Sequence, residues 1–271
     1  MPNLWLRIAL TLYGVGLLYA LLALSRRSHW ISALTLPAAG LGVVFHFVSL
    51  VEVTSTASHL APASIHDSES LLAFLVMIFF WAVYARYRTL TPGIFIFPLV
   101  FLLTFAAAIG KQPPHFTSPL LRNAWIFVHV TLIFAGYAAL MFSLAASFLY
   151  LLQERGLKSK HPDGVAARLP SLEVIDQIGY RSLLLGFPFM TAGLIAGAAI
   201  AQSEFGPTFF LDPKILLSVL MWAVYLVLLY TRWSAGWRGR RAAYLSAVAF
   251  LAAVGAWAAN FFSGVHRFTS P

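Results

Sequence analysis

The sequence predicts an all-α polytopic membrane protein, a bundle of about eight transmembrane helices that forms a single integral-membrane domain over residues 1–271. Three observations predict it. The chain is 60% hydrophobic and 10% charged, with 23 Phe and mean hydropathy +0.82, which leaves too little polar surface to cover a water-soluble globule of this length. Its apolar runs are long enough to cross about 30 Å of hydrocarbon as helices. They are also continuous rather than alternating, which favours helices over a barrel.

Span 1 (5–24) has no small-residue cleavage site before Arg26 and reads as a retained span, not a removed signal peptide. Span 2 (31–53) carries His46 about two thirds of the way along, and span 3 (70–85) is opened by Asp67 and Glu69. Span 4 (93–109) precedes span 5 (125–152), which holds His129 about one turn in. The charged segment from Gln153 to Gly164 is turn-rich and reads as a loop. After Pro170, Leu172, Ile175 and Ile178 recur every three positions, which predicts a short interfacial helix that either caps span 6 or docks a partner. Spans 6 (182–202) and 7 (215–231) flank a polar and aromatic loop, 202–214, and span 8 (242–262) leads to His266. Gly186, Gly193, Gly197 and Gly255 read as close helix packing.

The net charge of +9 does not form a nucleic-acid surface, because the basic residues fall in every second loop. Arg26 and Arg27, Arg86 and Arg88, Arg155 to Arg181, and Arg232 to Arg241 mark cytoplasmic loops by the positive-inside rule. Both termini are then non-cytoplasmic, in a multi-pass protein of the cell's inner (cytoplasmic) membrane. Cysteine is absent, so no disulfide or thiolate metal site can come from this chain. The histidine spacing lacks the paired ligands of a zinc site, and no nucleophile elbow supports a hydrolytic triad.

Eight histidines carry the remaining chemistry. His29 and His161 fall in cytoplasmic loops and read as solvated. His59, His66 and His115 fall in outer loops, where Asp67 reads as a helix cap and Glu69 could pair Lys111, Arg122 or Lys214 across the outer face. An ionisable group as deep as His46 is costly unless paired or liganded, which makes it a functional candidate; the alternative is a neutral imidazole hydrogen-bonded within the bundle. His129 and His266 bracket the 202–214 loop on one side of the membrane, and histidine pairs of this kind hold haem iron. Taken alone, the pair leaves ligation and plain packing both open.

Several blocks together resemble the CcsA/CcmC cytochrome c assembly family, whose outer loop is the tryptophan-rich WWD domain. Ile65-His-Asp-Ser-Glu69-Ser-Leu resembles the family's opening of a span, with Glu69 on its glutamate. Trp125-Ile-Phe-Val-His129, followed by Gly136-Tyr137, resembles the span with the first outer haem ligand, and Gly264-Val-His266 the second ligand. Leu172 to Arg181, then Gly186-Phe-Pro188, Gly193 and Gly197, resemble the approach to the WWD loop. Leu211-Asp212-Pro213-Lys214, then Trp222, Tyr225, Tyr230 and Arg232, resemble its exit. The resemblance covers about 65–268. The loop departs from the family: Phe205, Phe209, Phe210 and Leu211 stand near its tryptophans, Ile215 replaces a glutamate, and Tyr230 stands where synthases have a histidine. These departures are similar to the short HemX/YpjD-like branch.

The resemblance implies a non-catalytic haem-handling or assembly component, with haem bound at the outer face. His129 and His266 would be axial ligands, Phe205, Phe209 and Phe210 a platform, Asp212 part of the loop, Lys214 or Arg267 propionate partners, Glu69 a family position, and His46 an inner way-station. Opposed ligation places the two histidine α-carbons about 10–13 Å apart, with both rings expected in one aromatic cleft beneath the loop. The alternative is a HemX-like regulator or scaffold, in which 153–181 docks a haem-biosynthesis enzyme rather than a cytochrome c assembly partner. A transporter is a weaker alternative.

Overall fold

The computed structural model describes residues 4–25, 29–57, 60–110, 124–159 and 169–259. The side chains of 23–25, 29–32, 57, 205 and 207–209 are not among those described. The described residues form eight α-helices: α1 (Leu4–Ser25), α2 (His29–Ala57), α3 (Ile65–Tyr87), α4 (Gly93–Ile109), α5 (Ala124–Lys158), α6 (Leu172–Phe205), α7 (Pro213–Ser234) and α8 (Arg240–Ala258). Seven are long and apolar enough to cross a membrane, and α4 is apolar but has 17 residues. The protein is a multi-pass, all-helical membrane protein. It divides into unit 1 (Met1–Arg122 and Leu152–Val174) and unit 2 (Asn123–Leu151 and Ile175–Pro271).

In unit 1, α1 packs against α2 and α4, while α3 packs against α4 and α2. The buried Phe97 of α4 organises this group: it fills the space a side chain at Gly16 would need and lies 4.8 Å from Phe80 of α3 and edge-on to Tyr19 of α1. Trp5 and Phe45 stack at 5.6 Å and tie α1 to α2. α3 starts with a capping box, in which the Ser64 hydroxyl accepts from the Asp67 amide and the Asp67 carboxylate accepts from the Ser64 amide. The two side chains therefore each satisfy one amide at the start of the helix that would otherwise be bare.

In unit 2, α5 and α6 run antiparallel in a close register. Ala139 meets Gly186, Gly136 meets Met190, Ile133 meets Gly193 and His129 meets Gly197, one helical turn after another. A lipid environment gives little hydrophobic drive for helix association, so this close approach of small residues supplies the packing. Leu140, Leu183, Met190, Met221, Tyr225, Leu228, Ala249 and Ala253 bring α5 to α8 into one core. Ser143 of α5 and Ser246 of α8 share a buried hydrogen bond of 3.2 Å. Near Pro188, the Trp222 indole donates to Thr191 and the Tyr225 hydroxyl donates to the Leu183 carbonyl. α7 thereby supplies donors beside a proline that interrupts the α6 ladder.

The predicted span over 93–109 coincides with α4. α5 differs, continuing through Lys158 where a loop was expected from Gln153. Glu154 accepts from Lys158 at 2.7 Å, an i,i+4 pair, and Arg155 and Lys158 sit where the helix dipole favours cations. The expected separate interfacial helix is also not separate: 172–180 is the first part of the unbroken α6. Of its repeating apolar positions, Leu172 is half-buried and Ile175 and Ile178 are buried nearly completely, and Gly179 lies against Ala146 of α5. That face packs into unit 2 instead of lying flat on a membrane surface. The 202–214 loop is shorter than expected, because α6 runs to Phe205, a 3₁₀ helix covers Gly206–Leu211 and α7 begins at Pro213.

Candidate functional site

His129 lies one turn into α5, on the side facing α6. Its Nδ1 is 2.6 Å from the Gly193 carbonyl oxygen. A carbonyl can only accept, so Nδ1 carries the proton and donates it. The neutral ring then has a bare Nε2 lone pair, the form in which an imidazole binds a metal. The ring is half-buried and occupies the space over Gly197 that a β-carbon would fill.

Asp212 and Lys214 stand where α6 gives way to α7, at the same end of unit 2 as His129. The buried Asp212 carboxylate accepts from the Lys214 amide at 2.9 Å and caps α7, with Pro213 at the first helical position. The Asp-Pro-Lys run thus has a local structural cause besides any ligand. The half-buried Lys214 lies on the first turn of α7, so unit 2 places an imidazole and a cation at the same end from residues 85 positions apart in sequence.

Phe210 is 56% exposed and Leu211 78%. Phe205 ends α6 and Phe209 lies in the 3₁₀ helix, their side chains outside those described. His266 and Arg267 lie outside the described residues, as do His59, His115 and His161. The expected 10–13 Å separation and shared cleft of His129 and His266 fall there too. Tyr230 is exposed on α7.

In unit 1, His46 is fully buried and bonded on both sides. Its Nδ1 is 3.3 Å from the Tyr13 hydroxyl and its Nε2 3.0 Å from the Ser70 hydroxyl. A neutral imidazole satisfies both, accepting at one nitrogen and donating at the other. Phe74 lies edge-on to the ring, and Gly42 leaves room for Tyr13. Iron ligation by His46 would displace one of these two bonds. Glu69 accepts from His66 Nδ1 at 3.2 Å, and the His66 ring lies against Gly110.

One pair escaped the sequence reading. Arg232, counted there as a cytoplasmic charge and as the end of the loop-exit block, holds the Asp176 carboxylate of α6 through two bonds and stacks over Tyr180 at 4.8 Å. The available signal was an Asp and a Tyr four apart on an amphipathic helix; nothing in the sequence paired them with their partner on α7.

Residues 63–265 match the family described as cytochrome C assembly protein. Among curated proteins, the chain is similar to the cytochrome c biogenesis protein CcsA of Guillardia theta, 29% identical over 204 residues that cover 68% of each chain. The CcsA of Chlamydomonas reinhardtii is 33% identical over 149 residues, 55% of this chain and 41% of that protein. That of Synechococcus sp. (strain CC9902) is 34% identical over 154 residues, 49% of this chain and 51% of that protein. The chain thus spans about two thirds of the first of these relatives and about half or less of the other two.

Proposed function

The chain belongs to the cytochrome c assembly protein family, and from that premise we propose that it is a membrane component of cytochrome c assembly that takes haem as its cargo. The observation that carries this reading is His129, oriented by its bond to Gly193 at the end of unit 2 where Lys214 opens α7. The residues fit the cargo. His129 has its Nδ1 committed to Gly193, which leaves Nε2 for iron, and a lysine ammonium suits a propionate. His266 would be the second axial ligand and Arg267 a further propionate partner. Phe205, Phe209 and Phe210 would give the porphyrin an aromatic face. The protein would hold this site on the non-cytoplasmic side of the cell's inner membrane, with assembly partners meeting the polar helix ends over 153–181.

The test is an absorption spectrum of the detergent-purified, haem-loaded protein, oxidised and reduced. A six-coordinate bis-imidazole spectrum is expected, and His129→Ala or His266→Ala should each convert it. A protein that takes up no haem, or whose spectrum survives both substitutions, would end the reading.

A further inference from the structure

We infer that α6 builds a socket that presets His129 as an Nε2 ligand, with the Gly193 carbonyl fixing the tautomer and Gly197 making room for the ring. The inference rests on the haem reading for its purpose but not for its geometry. In a helix the carbonyl of residue 193 points toward the amide of residue 197, one turn on. Any side chain at 197 would stand beside that carbonyl. A β-carbon there would lie inside the van der Waals envelope of His129 Cε1 and Nδ1. The glycine therefore does two things, admitting the imidazole and exposing the second lone pair of a carbonyl already engaged in its helix. The next turn supports the arrangement. A β-carbon at Gly193 would meet Ile133 at 2.9 Å along its side chain and 3.0 Å at its backbone nitrogen, so α5 stays close to α6 one turn beyond the ring.

The geometry answers a physical need. A lone histidine on a helix can turn about χ1 and χ2 and can carry its proton on either nitrogen, so only part of its population is ready to bind. Donation to a backbone carbonyl fixes both choices, and such outer partners of a liganding histidine are worth about 10–100-fold in metal affinity. Gly193 and Gly197 are thus positioning residues acting through His129, besides their part in the packing of α5 on α6. Gly255 offers the contrast, since a β-carbon there would meet nothing within 4 Å.

The experiment uses the full-length protein labelled with ¹⁵N-histidine in detergent, first without haem and then loaded. In the haem-free wild type the His129 signals, assigned by their loss in His129→Gln, should show a protonated Nδ1 and a bare Nε2. Gly197→Ala should abolish that pattern, lower haem retention about 10–100-fold, and give a spectrum that added free imidazole returns to six-coordinate. Gly255→Ala should change none of these. A wild-type His129 protonated at Nε2 overturns the socket even if Gly197→Ala fails to fold. So does a Gly197→Ala protein that keeps the wild-type tautomer and haem retention. Should the wild type show the Nδ1-protonated tautomer, lost in Gly197→Ala, but take up no haem, the socket is upheld and the haem reading is what fails.

Discussion

The Arg232 guanidinium grips the Asp176 carboxylate with bonds of 2.7 and 3.0 Å, across 56 residues of sequence, and only 8% of the arginine side chain is exposed. This fork joins the start of α6 to the end of α7. Removing one partner leaves the other charge shielded from water and unpaired, which costs about 3–5 kcal/mol for a buried pair. Arg232→Met should therefore lower the melting temperature of the detergent-solubilised protein markedly. Arg232→Met with Asp176→Leu should recover most of the loss, and equal melting of all three proteins would show the pair to be idle.

His46→Ala should destabilise unit 1, because it leaves the Tyr13 and Ser70 hydroxyls without their shared partner at about 1–3 kcal/mol each. Haem retention should follow stability here. Loss of haem at unchanged melting would instead assign His46 to the way-station role.

Phe210 is exposed, so Phe210→Ala should change stability by no more than about 0.5 kcal/mol, as for a surface site. Combined with Phe209→Ala, it should still weaken haem retention. Haem binding that is indifferent to both would reduce the turn to a connector.

Orientation follows the arginines. Reporter fusions after Arg88 and Arg240 are expected to report the cytoplasm, and one after Pro207 the outside. The opposite result would move His129 and Lys214 to the cytoplasmic face and remove the basis for an outer haem site.

Much of this was legible beforehand, and the exceptions have physical causes. Hydropathy located every helix, because crossing hydrocarbon demands about 20 apolar residues regardless of partners. It could not show that α5 and α6 extend past their apolar parts, since Glu154–Lys158 and Asp176–Arg232 keep polar residues helical through contacts that hydropathy does not register. The costliness of a deep His46 was legible, whereas its partner Tyr13, 33 positions away, was not. Gly193 and Gly197 read as packing for the same reason. That one accepts from His129 and the other clears its ring depends on the α5–α6 register, which emerges only when the two helices meet.

The brevity of α4 has a consequence for the solvent around the protein. Seventeen residues at about 1.5 Å each make a rod of about 25 Å, a few ångströms short of ordinary hydrocarbon thickness. Acyl chains beside α4 must compress or the helix must stand nearly upright, and each ångström of mismatch costs a fraction of a kcal/mol. The mismatch is local to α4, because α1, α2 and α3 of the same unit are long enough to cross an ordinary bilayer. Lipid beside α4 must therefore adapt to a shorter wall than the one its neighbours present.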